Sequence, residues 1–127
     1  MDITPAVPEG SQVITGYGPG MFRIAGVAHS GSVLVLPNRT LAWAVTDFAE
    51  IDPAGLEPIL SQNPPVDVLL LGCGPAMQLP PPELRVALRE RGVVLEPMDT
   101  GAACRTFNVL LTEGRRAAAA LIALPDA

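Results

Sequence analysis

Apolar positions along the chain fall into two regimes. Over residues 13–45 they come in short bursts bounded by turns. Residues 22–27 (FRIAGV) alternate weakly, residues 32–36 (SVLVL) are β-branched and apolar, and residues 41–45 (LAWAV) follow. Such bursts predict antiparallel strands. The Pro37-Asn38-Arg39-Thr40 tetrapeptide between the last two predicts a hairpin connection, because asparagine tolerates turn backbone.

From Asp52 onward the spacing changes. Asp52-Pro53 has the form of a helix cap followed by proline at the first helical position, and Leu56, Ile59 and Leu60 supply a short apolar stripe. Pro58 within that stripe predicts a brief helix with an irregular start. Residues 66–71 (VDVLLL) form a nearly continuous apolar run, as expected of a strand buried on both faces. Residues 83–91 carry Leu84, Ala87 and Leu88 on one helical face and stop at Gly92. Residues 93–95 (VVL) predict a second buried strand. Asp99 or Thr100 then caps a third helix with Ala103, Phe107, Leu110 and Leu111 on one side. A final strand is expected after Gly114, over the alanine-rich residues 115–124. A β-rich half followed by α-β-α-β-α-β predicts an α/β fold: one three-layer domain over residues 12–127. Its centre is a mixed, mostly parallel sheet with helices and an N-terminal antiparallel β layer. Residues 1–11, with Pro5, Pro8 and Gly10, predict a flexible tail.

Composition removes chemistries. The chain has 127 residues, eight basic residues that are all arginine, one histidine (His29) and a net charge of −5. Without lysine there is no P-loop lysine and no Schiff base, and one histidine does not make a histidine-rich metal site. The acidic balance argues against a nucleic-acid partner. Cys73 and Cys104 are too few for a disulfide scaffold. Hydrophobic residues make up 49% of the chain, yet its charge-free stretches are short and broken by Gly and Pro, so no transmembrane segment is expected. The opening residues lack a basic-then-apolar signal, which predicts a cytoplasmic protein.

Several motifs invite chemistry. Residues 16–20 (GYGPG) run into a strand, so a tight turn accounts for them better than a phosphate loop. Gly72-Cys73-Gly74 follows a buried strand, but Met77 stands where a dinucleotide fingerprint needs glycine; a backbone nest for a small anion remains open. Asp99-Thr100-Gly101 matches the aspartic-protease triplet, but the long amphipathic stretch behind it favours a helix cap. Cys104, in the first turn of that helix beside Arg105, is either a reactive thiolate or a small core residue. His29 has no evident partner, and Arg115-Arg116 read as a solvated strand start. In a parallel sheet the turns after Leu71 and Leu95 share the carboxyl edge, where open α/β sheets place ligands. Gly72, Gly74, Asp99, Thr100 and Arg105 therefore converge as a candidate crevice. It has no assembled acid, base or nucleophile, so binding is favoured over catalysis.

Residues 98–110 (MDTGAACRTFNVL) and 113–122 (EGRRAAAALI), with residues 16–18 (GYG), Phe22-Arg23, residues 29–32 (HSGS), Leu36-Pro37 and residues 67–74 (DVLLLGCG), resemble one family closely. It is a family of small bacterial and archaeal proteins that includes mitochondrial respiratory complex I (NADH:ubiquinone oxidoreductase) assembly factor 3. The resemblance spans residues 13–124. It implies a compact α/β fold and carries over no catalytic residue; no cofactor and no metal are expected. It also implies a non-enzymatic assembly role with protein partners, among them membrane-complex subunits or another assembly factor, and a peripheral place at the inner membrane. Asp99, Thr100, Cys104, Thr106, Phe107 and Asn108 match the family's motif and, with Gly72, Gly74 and Arg105, form the candidate binding site. Cys73 stands where relatives usually carry threonine, which weakens a redox role for a Cys73–Cys104 pair. The rival expectation is a protein that binds a small ligand or anion, or a cryptic enzyme, at the carboxyl-edge crevice.

Overall fold

In the computed structural model, which describes residues 9–126, eight strands divide between two sheets. The smaller sheet is an antiparallel meander of β1 (Ile14–Gly18), β2 (Met21–Ile24) and β3 (Val27–Ser30). The larger contains β4 (Val33–Val35), β5 (Thr40–Ala42), β6 (Val68–Gly72), β7 (Val94–Met98) and β8 (Ala117–Leu121), in the order β5-β4-β8-β6-β7. Its pairings divide evenly: β4–β5 and β4–β8 are antiparallel, β6–β7 and β6–β8 parallel. The expected sheet is thus mixed. The β4–β5 hairpin, closed by the Leu36 amide donating to the Arg39 carbonyl at 2.8 Å, raises the antiparallel share.

Side chains of the large sheet alternate between two cores, as the strand period of two requires. Leu34, Leu36, Leu69, Leu71, Ala118 and Ala120 face one side, under α1 (Glu57–Leu60) and α2 (Pro82–Glu90). Val33, Val35, Val68, Leu70, Ala117 and Ala119 face the other, where α3 (Thr100–Thr112) and the small sheet cover them. β8 is buried along its whole length, and its four alanines let covering layers approach from both sides. The tail expected over residues 1–11 falls mostly outside the described residues.

Local signals act as the sequence predicts, with three differences. A 3-10 turn (Ala54–Leu56) precedes α1, and the Asp52 carboxylate accepts from the Gly55 amide at 2.9 Å, so the helix does start irregularly. A second 3-10 turn (Phe48–Glu50) was not expected. Asp47 and Glu50 form a reciprocal capping box there. β7 is an edge strand and is not buried on both faces: Leu95 is buried, whereas Val94 and Glu96 on the opposite face are exposed. Of the pair read as a solvated strand start, Arg115 is exposed, whereas Arg116 is half-buried and bonded to backbone. Its guanidinium donates to the Pro64 carbonyl at 2.6 Å and the Pro65 carbonyl at 3.0 Å, tying the start of β8 to the approach to β6.

The β2–β3 turn holds Ala25 at φ 51° and Gly26 at φ 81°, so both central residues sit in the left-handed region. Alanine is strained there, whereas asparagine tolerates it. Ala25→Asn is expected to stabilise the chain by about 0.5–1 kcal/mol, read as a small rise in the thermal midpoint.

Candidate functional site

The carboxyl ends of β6, β7 and β8 meet the start of α3 in one hydrogen-bonded joint. The Cys73 amide donates to the Met98 carbonyl at 2.8 Å, and the Ile122 amide donates to the Gly72 carbonyl at 3.0 Å. Thr100 locks these ends together. Its amide donates to the Gly74 carbonyl at 2.8 Å; its hydroxyl accepts from the Gly74 amide at 2.9 Å and donates to the Ile122 carbonyl at 2.8 Å. The side chain is fully buried, so these bonds form without competing water. Asp99 caps α3 by accepting from the Ala102 amide at 2.8 Å, which accounts for the Asp-Thr-Gly triplet without protease chemistry. Gly72 has no room for a side chain: a Cβ there would stand 2.9 Å from Leu121 Cδ2 and 3.1 Å from Thr100 Cα.

Further along α3, other motif residues face the small sheet. Gly101 lies under the Tyr17 ring, its own absent Cβ leaving the space. Arg105 donates to the Tyr17 hydroxyl at 2.6 Å, so the guanidinium is held by β1 and does not serve the Gly72–Gly74 turn. Asn108 clamps β1 with both ends of its amide. Oδ1 accepts from the Ile14 amide at 2.9 Å, and Nδ2 donates to the Ile14 carbonyl at 2.7 Å, as a neighbouring strand would. Phe107 is fully buried between the sheets, and Thr106 lies half-buried on α3.

Cys104 is a core residue. Burial pushes its thiol up to about 12, against the opposing pull of Arg105. The Cys73 thiol is also raised, chiefly by burial. The two thiols lie in different cores on opposite faces of the large sheet, and both are free. The folded state therefore favours the neutral Cys104 thiol. That contribution is intact below the ~8.5 of a free cysteine and is lost as pH climbs toward the folded value. The expected result is that iodoacetamide at pH 8 leaves Cys104 unmodified in the native chain and alkylates it in urea, as counted by intact mass.

The candidate residues thus separate into two groups. Gly72, Gly74, Asp99 and Thr100 are brought together at the joint. Cys104, Arg105, Thr106 and Asn108 lie along α3, with Arg105 and Asn108 bonded to β1. The crevice itself opens beside the joint, with a volume of about 440 Å³, lined by Gly74 with Thr46, Asp47, Phe48, Gln78 and Asp126 among others. Its charged lining is acidic and no arginine contributes to it, so it does not suit an anion. Sequence reasoning missed Tyr17, Thr46 and Asp47. The D-x-x-E spacing of Asp47 and Glu50 is a signal that could have found one wall as a capped turn, whereas Tyr17, read only as part of a tight turn, had nothing local to tie it to Arg105. Among the described residues no His, Cys, Asp and Glu cluster could hold a metal, and no helix is long and apolar enough to cross a membrane.

Helices on both faces of a five-stranded mixed sheet, with a small antiparallel sheet over α3, define a Mth938-like α/β domain. The solution structure of a Bordetella pertussis protein, described as a Mth938-like domain, superposes with a TM-score of 0.83 at 27% identity, covering 100% of this chain and 95% of that one. The chain belongs to the family described as "Protein of unknown function (DUF498/DUF598)", whose model matches residues 14–122. A crystal structure described as that of an outer membrane protein from Bartonella henselae matches with a TM-score of 0.83 at 38% identity, over 94% of this chain and 99% of that one. An uncharacterized protein of Rhodobacter capsulatus is 44% identical over 93% of this chain and 90% of its own length. NADH dehydrogenase [ubiquinone] 1 alpha subcomplex assembly factor 3 of Danio rerio is 39% identical over 89% of this chain. The match spans 65% of that relative's length.

Proposed function

We propose that this chain is a non-enzymatic interaction protein that assists the assembly of a membrane complex, respiratory complex I being the first candidate. The observation that carries this reading is the identity shared with assembly factor 3 proteins across the described fold. The state of the motif residues supports it. Asp99, Thr100 and Asn108 are engaged in backbone hydrogen bonds, Arg105 is bonded to Tyr17, and Cys104 is buried as a neutral thiol. A nucleophile or general base needs a free, reachable atom, and Thr100, Cys104 and Asn108 have given theirs to the fold.

The test is removal of the gene from its host and measurement of assembled complex I on native gels together with NADH:ubiquinone activity. Loss of the full-size complex, restored by the wild-type gene, is the expected result. An unchanged complex I level and activity would overturn the reading.

A further inference from the structure

The two sheets expose four strand edges, and three are guarded. On β7, the Val94 amide and Met98 carbonyl bond toward β6, so Leu95 and Pro97 face the open side. The Leu95 carbonyl is taken by the Arg85 guanidinium at 2.9 Å, and Pro97 has no N–H to offer. β5 is three residues long, and Thr40 is bonded to the Gln12 side chain at 2.8 Å. β1 has its Ile14 amide and carbonyl occupied by Asn108.

β3 carries no such device. The register Ile24↔Val27 and Phe22↔His29, with the Gly31 amide donating to the Gly20 carbonyl at 2.9 Å, places its odd-numbered backbone groups toward β2. The Ala25 amide donating to the Val13 carbonyl shows the complementary set of the meander turned toward β1. Ala28 and Ser30 therefore present their N–H and C=O outward, and both residues are exposed. Val27 at the same edge is 55% exposed. An unguarded edge is a template for a further strand, because its ladder groups lose nothing by exchanging water for another backbone.

Charge selects the occupant. Arg23 is the one Lys, Arg, Asp or Glu residue of the three strands, although the chain as a whole carries −5. It is exposed and its guanidinium makes no ion pair or hydrogen bond among the described residues. Register puts it beside Ala28 on the outer face, with Gly16 on its other side. Ala28 leaves the guanidinium free to extend over it. A residue added opposite Ala28 would have its Cα about 10 Å from that of Arg23, two strand spacings away, within the combined reach of arginine and glutamate. A second copy of β3 would bring Arg23 toward another Arg23 and offers no acid in Val27–Ser30.

We infer that β3 is a docking edge that accepts an extended acidic segment of a partner as a fourth strand, its carboxylates on the Arg23 face and its apolar residues beside Val27 and His29. This deepens the reading of the chain as an interaction protein but is independent of which complex it serves.

The experiment titrates the full ¹⁵N-labelled chain with a synthetic nonapeptide alternating valine and glutamate. The Ala28 and Ser30 amides are expected to shift and to gain protection from exchange. Ala28→Pro, which removes an outward N–H and no bond to β2, should abolish this response. Arg23→Glu, a surface change that keeps the edge intact should the proline variant fail to fold, should weaken binding by about tenfold or more and favour a valine–lysine peptide. The inference is overturned by absence of binding, by shifts confined to the exposed residues 76–79, or by binding that Arg23→Glu leaves unchanged. A response of the same amides to protein concentration alone would likewise replace the acidic partner with a second copy. An edge that binds the peptide in a chain whose deletion spares complex I would remove the assembly reading and keep the docking edge. An Ala28→Pro or Arg23→Glu gene that restores complex I fully while its product binds no peptide would separate the edge from assembly.

Discussion

A Gly72→Val chain is expected to be largely unfolded under conditions where the wild type is native. The first side-chain carbon would stand 2.9 Å from Leu121 Cδ2, 3.0 Å from Thr100 Oγ1 and 3.1 Å from Thr100 Cα. Leu121 Cδ2 is a side-chain tip in a fully buried place with little room to turn, and Thr100 Cα is backbone in the first turn of α3, so the second contact is relieved only by moving the helix. Overpacking a rigid interior costs about 1–3 kcal/mol, and forced backbone movement adds to that, against a total stability of about 5–15 kcal/mol. Gly72→Ala, with one carbon instead of three, should retain the fold with a lowered urea midpoint. Circular dichroism across a urea series distinguishes the two. Equal midpoints for Gly72→Ala and wild type would show that the packing is looser than the distances imply.

Thr100→Val should be the next most damaging change. Valine keeps the shape of threonine and deletes the hydroxyl, leaving the Gly74 amide and the Ile122 carbonyl without those partners in a fully buried place. Orphaning a buried polar group costs about 1–3 kcal/mol, so two lost bonds predict a loss of about 3 kcal/mol, or roughly 10 °C in the thermal midpoint for a chain of this size. Thr100→Ser keeps the hydroxyl and should lose well under half as much. If both variants melted together, the methyl group and not the two hydrogen bonds would be the source of the effect.

How far the sequence discloses this molecule depends on the range of each interaction. β6 was legible because one run of apolar residues must be buried on both faces. α3 was legible because cap, stripe and stop lie within sixteen residues of chain. The alanine-rich β8 reads as a strand only in the context of the alternating elements before it. Its central position, between β4 and β6, has no local signature. The exposure of Val94 was equally invisible, since whether a layer covers that face of β7 is decided by elements distant in sequence. At the site, the meeting of Gly74 with Thr100 followed from parallel topology. The Asn108–Ile14 clamp joins residues 94 apart through an amide imitating a strand, and the Arg105–Tyr17 bond spans 88. No spacing rule anticipates either, and both redirected side chains that the sequence had aimed at the crevice.

The place of β8 also sets an order in time. During synthesis the chain emerges N-terminus first, at roughly 5–20 residues per second. β4 and β6 therefore wait beside each other with no strand between them until Ala117–Leu121 has been made. The small sheet, whose Phe22 and Ile24 end fully buried against α3, waits nearly as long with that face bare. Until β8 has been made the sheet is unclosed, and it closes from the middle, by the last of its strands in chain order.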